Sequence, residues 1–187
     1  MLKYTPIIIL LFSVCSLSYS KEKYPCDNLQ QLSAMANNGD LEAQFNVGIC
    51  LFHKNKREEA ADALKISAKK GHLPSVIYLG HCYYNGIGVE KNKNKAVQYY
   101  KIAADKDNPW GLYYLAQHLS KQYTEDRNQA INLYERAAEQ KHMSSIAALI
   151  KFYSRNKHKY PQKTQYWINV AKHMGYDYGI RRNPLFW

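Results

Sequence analysis

Several things are missing from this sequence of 187 residues, and each absence removes a class of chemistry. There is no His-x-x-x-His and no Cys-x-x-Cys, the spacings that bring two metal ligands onto one helical turn. The seven histidines, His53, His72, His81, His118, His142, His158 and His173, therefore read as structural, with His81-Cys82 the only adjacent pair of histidine and cysteine. No phosphate-cradling glycine loop is present: Gly86-x-Gly88 falls between two helical stretches, where its role is to turn the chain. No metal and no cofactor is expected. Acids are scarce, 15 Asp and Glu against 26 Lys and Arg, for a net charge of +11. Apolar runs are short as well. The longest, Pro6 to Leu17, falls well below the ~20 residues needed to span a bilayer.

That run has another meaning. Lys3 precedes it and the small residues Ser18-Tyr19-Ser20 follow it, the three-part pattern of a secretory signal peptide cleaved after Ser20. No stable transmembrane segment is expected after cleavage. Export across the inner membrane into a periplasm is the expected destination, with a lipoprotein anchored at Cys15 as the lesser alternative, because Phe12 and Val14 fit poorly around it. The remaining chain has the length of one domain. Its 17 tyrosines are abundant, and columns such as Tyr83, Tyr100, Tyr134 and Tyr153 are expected to fill wedges between helices.

Positions repeat in register. Gly39, Gly71, Asp107 and Lys141 form one column; Gly48, Gly80, Ala116 and Ile150 follow nine residues later. Ala60, Ala96, Ala130 and Thr164 form a third, followed by Ser67-Ala68, Ala103-Ala104, Ala137-Ala138 and Ala171-Lys172. The period runs from 32 to 36 residues, and only the turn between the two helices of each pair changes length. Small residues at fixed crossing points with this period predict an all-α fold, a right-handed α-solenoid of about four stacked helix-turn-helix repeats. The pairs are expected at 41–53 with 57–70, 74–84 with 93–106, 109–121 with 126–140 and 143–155 with 161–174. An unpaired helix over 27–38, capped by Asp27 or Asn28, closes the N-terminal end. The chain thus divides into a leader (1–20), this capping helix, four repeats (39–70, 71–106, 107–140, 141–174) and a tail (175–187). In the tail, Leu185-Phe186-Trp187 is expected to fold back over the last repeat.

The second repeat resembles a Sel1-like repeat, a branch of the tetratricopeptide superfamily. Leu79-Gly80-x-x-Tyr83, Gly86-x-Gly88-Val89, Lys95-Ala96 and Tyr99-Tyr100-x-x-Ala103-Ala104 all fit that family's pattern, while Asn92 stands where the family has Asp. The other repeats lack the Gly-x-Gly-Val turn and rest on register. The resemblance implies a non-enzymatic protein-interaction module whose first helices line a concave face. On that register the partner-facing residues are Asn46, Tyr78, His81, Tyr114, Gln117 and Lys151, and their aromatic, amide and basic groups suit a peptide or helix of a partner. It implies an adaptor of envelope complexes or, alternatively, an immunity protein against a secreted toxin. Some exported relatives have been classed as penicillin-binding or β-lactamase-like. Ser67-x-x-Lys70 and Ser154-x-x-Lys157 occur here, but so does Ser18-x-x-Lys21 in the leader, and Ser-Asp-Asn and Lys-Thr-Gly do not, so these read as chance.

Charge is polarised along the chain. Residues 142–187 carry eight cations against Asp177 alone, a local charge of +7, with Lys157, Lys159, Arg181 and Arg182 as the core of a basic patch. Such a patch favours an acidic protein partner or contact with an anionic envelope surface. Nucleic acid is not expected, since no motif for it is present. Without the leader three cysteines remain. Cys50 and Cys82 share a column on neighbouring first helices, whose ~8–10 Å axial separation is wide for a bridge. Cys26 precedes the capping helix, which should run antiparallel to the helix holding Cys50, and Cys26 to Cys50 is the preferred pair.

Overall fold

The computed structural model describes residues 26–121 and 124–176. The leader, Cys15, Arg181, Arg182 and the Leu185-Phe186-Trp187 tail lie outside the described residues.

A 3-10 turn at Cys26–Asn28 leads into α1 (Leu29–Asn37). There follow α2 (Leu41–His53), α3 (Arg57–Lys69), α4 (Leu73–Asn85), α5 (Lys93–Asp105), α6 (Pro109–Leu119), α7 (Thr124–Glu139), α8 (Met143–Arg155) and α9 (Pro161–His173). The described residues contain helices and turns and no strand. Asn28 is the cap of α1, its side chain accepting from the Gln31 amide. Pro74, Pro109 and Pro161 stand in the first turn of α4, α6 and α9, where the missing N–H has no intrahelical partner to lose.

The Gly39 column has a backbone cause. Gly39, Gly71, Asp107, Lys141 and Gly175 all have positive φ, from +54° at Asp107 to +92° at Gly39. Each follows a helix, and in each case the next residue's amide reaches back to a carbonyl of the preceding turn: Asp40 to Met35, His72 to Ser67, Asn108 to Ala103, His142 to Ala137 and Tyr176 to Ala171, at 3.0 to 3.3 Å. This left-handed cap ends α1, α3, α5, α7 and α9 in the same way. Four of the residues making that bond, Asp40, His72, Asn108 and His142, are also the N-caps of the helices that come next. The stop of one helix and the start of the next are one motif, which keeps that connection constant in length.

The helices fall into two compact units that meet in sequence at Lys93 and Asn94. In the first, α1 packs on α2, α2 on α3 and α3 on α4. Its core holds Leu32, Ala43, Phe45, Leu64, Val76 and Leu79. Gly48 sits where a Cβ would come within 2.9 Å of the Leu64 side chain, so the α2–α3 crossing is close at this point and Leu64 fills the space. In the second unit α6 packs on α7, α7 on α8 and α8 on α9. Gly111 of α6 meets Ala103 of α5 so closely that a Cβ would lie 2.5 Å from the alanine methyl. Leu112, Ala116, Ala130 and Leu133 form one cluster there; Ile146, Leu149, Tyr153 and Trp167 form the other. Alanine and glycine at the crossings let backbones approach, and the larger residues on either side supply most of the buried apolar area.

Candidate functional site

The outward positions read from the register, Asn46, Tyr78, His81, Tyr114, Gln117 and Lys151, are divided between the two units. In unit 1, α4 carries Tyr78 and His81, one turn apart and both half-buried. The Tyr78 ring packs edge-on against Phe45 at 5.2 Å. Asn85, one turn further on, donates from its amide to His81 Nε2 at 3.1 Å and to the His81 carbonyl at 3.0 Å, which fixes the imidazole on the helix flank. Burial lowers the His81 pKa, so the ring is a neutral hydrogen-bonding group at physiological pH.

In unit 2 the equivalent positions of α6 are Tyr114 and Gln117, again half-buried. Tyr114 stacks on Tyr100 at 4.9 Å and beside Trp110 at 6.2 Å. Gln117 donates to the Tyr113 hydroxyl at 3.2 Å. Behind this row Tyr113 touches Tyr134 and His142, and Trp110 meets the His142 ring edge-on at 4.4 Å. Burial pushes the Tyr134 hydroxyl up to about 12 and brings His142 down to about 4, so both are neutral at physiological pH. The α8 member of the column, Lys151, is exposed.

Asn46 is different. The register expects it beside a partner, yet it is only 3 % exposed. Its amide donates to the Glu42 carbonyl at 2.9 Å, one turn back on α2. A side chain too short to pass its neighbours bonds along its own helix instead, and Asn46 belongs to the packing.

Histidine at two helix starts is a feature that column counting passed over. His72-x-x-Ser75 and His142-x-x-Ser145 recur in register, and in both the ring Nδ1 lies 2.9 Å from the serine hydroxyl. Each ring also packs on the aromatic at the same position of the previous first helix, Phe45 for His72 and Tyr113 for His142. The signal was present in the sequence as the repeated His-x-x-Ser. At His72 the chain of bonds is longer: Glu42 Oε2 lies 3.1 Å from Nε2, and Ser75 Oγ lies 2.6 Å from Ser67 Oγ. This links a carboxylate, a histidine and a serine as acyl-transfer triads do. A nucleophile must be reachable, however, and Ser75 and Ser67 are both 0 % exposed. The network holds α2, α3 and α4 together. It also withdraws Ser67 from any Ser-x-x-Lys role.

Cys26 and Cys50 form a disulfide with a Cα–Cα distance of 5.4 Å, and Cys82 is a buried free thiol that burial pushes up to about 12. Among the described residues no cluster of His, Cys, Asp or Glu could hold a metal ion, and no helix is long and apolar enough to cross a membrane. Of the basic patch, Lys157 and Lys159 are exposed in the turn between α8 and α9.

Comparison with known proteins fits this geometry. The Sel1 repeat family matches residues 41–53, 74–108 and 111–142. The crystal structure of a Sel1 repeat protein from Oxalobacter formigenes superposes with a TM-score of 0.71, covering 90% of this chain and 71% of that one at 21% identity, which establishes a shared fold. Protein SHC1 of Saccharomyces cerevisiae is 35% identical over 91 residues, 46% of this chain and 17% of the yeast protein. Chitin synthase regulator SKT5 of the same yeast is 33% identical over 64 residues, 34% of this chain and 9% of that protein. The aligned stretches are thus small parts of these curated relatives. Sel1 repeats are tetratricopeptide-like modules that bind proteins, and their fold is typically a non-catalytic scaffold. Left-handed caps in register, crossings of glycine and alanine, and a family match on α2 and then on two whole helix pairs show that this chain carries Sel1 repeats.

Proposed function

We propose that this chain is an exported, non-enzymatic docking module of a bacterial envelope, which binds a partner protein through the outward residues of its first helices. The observation that carries the reading is the equivalence of Tyr78 and His81 on α4 with Tyr114 and Gln117 on α6, half-exposed at the same helical positions. Tyrosine held by a neighbouring ring offers contact area with little entropy left to lose on binding. Export is supported by the leader pattern and by the Cys26–Cys50 bridge, since disulfides persist in oxidising compartments. An adaptor role in an envelope complex is the reading adopted.

The test is recovery of a partner by mild crosslinking and pull-down from envelope extract. Tyr114→Ala with Gln117→Ala should reduce recovery at least tenfold, with circular dichroism showing that the variant keeps its helical content. Recovery of nothing by the wild-type chain defeats the adaptor reading. Protection of cells against the product of a neighbouring gene, with that toxin as the captured protein, would replace it with an immunity role.

A further inference from the structure

The hairpin of α8 and α9 has a charge composition unlike the rest of the molecule. Its described residues, 142–176, contain Lys151, Arg155, Lys157, Lys159, Lys163 and Lys172 and no acid. The structure separates these cations into two kinds. Lys163 is neutralised: its ammonium lies 2.7 Å from Glu135 of α7 and 3.2 Å from the Tyr153 hydroxyl, which itself donates to Glu135 at 2.8 Å. That bond to Glu135, then the one to Tyr153, raises the Lys163 pKa to about 12. Lys151, Arg155, Lys157, Lys159 and Lys172 are exposed, and among the described residues no carboxylate stands within salt-bridge distance of them. Lys151 and Arg155 are one turn apart on α8, and the helix runs directly into the turn that holds Lys157 and Lys159. Lys159 lies over the Tyr160 ring at 5.3 Å.

We propose that this end of the α8–α9 hairpin is a second docking surface, which captures an acidic segment of a partner protein. The inference rests on the reading of the chain as a protein-interaction module and adds the partner's charge and the place it lands. Four like charges along one helix flank and its turn repel one another, so a run of carboxylates is the complement that relieves them. Arg155 can pair bidentately with a carboxylate, while the lysines act as steering charges. A lipid surface fits less well. Amphipathic membrane contacts need an apolar face beside the cations, and the exposed large hydrophobic residues on this hairpin and the turn after it are Tyr166 and Tyr176, with no exposed leucine, isoleucine or phenylalanine.

The experiment uses the full mature chain and a fluorescent decaglutamate peptide, read by anisotropy, with a neutral decapeptide and phosphatidylglycerol vesicles as comparison probes. Arg155→Glu, Lys157→Glu and Lys159→Glu together should weaken decaglutamate binding at least tenfold. A charge-matched control in the other unit, Lys54→Glu, Lys69→Glu and Lys70→Glu, should weaken it less than threefold. Raising salt from 50 to 300 mM should reduce the wild-type affinity severalfold. Equal loss in the two triple variants overturns the proposal, because net charge alone then explains the binding. Vesicle binding without decaglutamate binding also overturns it. If the pull-down from envelope extract succeeds but the hairpin variant retains the partner, this surface is excluded while the docking function stands; if the wild-type chain captures nothing, it is the docking function that falls.

Discussion

At the scale of single residues, the informative positions are those where a side chain contradicts its backbone or its surroundings. Lys141 has φ +63° in a column where Gly39, Gly71 and Gly175 stand at the equivalent positions. A left-handed conformation costs an L-residue ~1–2 kcal/mol, so Lys141→Gly is expected to stabilise the protein by about 1 kcal/mol in urea denaturation. Asp107 shares the strain at φ +54°, but its carboxylate accepts from Arg136 at 2.6 Å and from Gln140 at 3.1 Å, which compensates it. Gly88 is the opposite case. A Cβ there would lie 2.0 Å from the Arg57 carbonyl oxygen at φ +65°, so Gly88→Ala should destabilise by at least about 2 kcal/mol. Gly39→Ala meets open space at φ +92° and should cost about 1 kcal/mol from strain alone. His142 supplies the pH dependence. It is 8 % exposed, its Nε2 has no hydrogen-bond partner, and burial lowers its pKa from 6.5 to about 4. The unfolded chain therefore binds a proton more readily than the folded one. Its contribution to stability is complete above the unfolded value and is lost as pH falls toward about 4, by roughly 3 kcal/mol. Denaturation curves at pH 7 and pH 4 should show a loss smaller by that amount in His142→Gln than in the wild type.

The elements show which parts of the register carry meaning. Helix bounds follow from caps and turn residues, which are local, and the expected pairs agree with the helices to within about two residues. The side of a helix that a residue occupies is less local. Asn46 was placed outward by the same column that places Tyr78 and Tyr114, and its burial depends on how neighbouring side chains close over a short amide. The His-x-x-Ser starts were equally visible in sequence, but the meaning of His72 emerges only when Phe45 and Glu42 come to it from α2. At the N-terminal end, α1 is tied to α2 by the Cys26–Cys50 bridge, which closes a loop with a sequence separation of 24. Loop-closure entropy of that size corresponds to about 3 kcal/mol. Cys26→Ser should lower stability by about that much, measured against the wild type under oxidising conditions, and the difference should disappear in reductant.

Within each unit, stability comes from serial burial, each helix packing on the one before it from α1 to α4 and from α6 to α9. A single pair leaves the apolar faces that its neighbours would cover open to water. A peptide of residues 39–70, the α2–α3 hairpin, should therefore give the circular dichroism of a largely unfolded chain, whereas residues 21–187 give a helical spectrum and a cooperative transition. Helicity in the isolated peptide approaching that of the full chain would contradict this. The proposed export carries its own measurement: the periplasmic form should have the intact mass of a chain beginning at Lys21, with the N-terminal 20 residues removed.

By itself the sequence determined the class of fold, the positions of the helices and the left-handed caps between them. All of these depend on interactions within about six residues, or on small side chains recurring at a fixed period. Tertiary structure decided which members of a column are open and which are closed, that Ser67 and Ser75 are sealed from solvent, and that Lys163 is paired with Glu135 while Lys157 and Lys159 are not. Those outcomes depend on contacts between residues as many as 30 positions apart, as between His72 and Glu42. A helix specifies its own period, but only its neighbours determine what remains exposed.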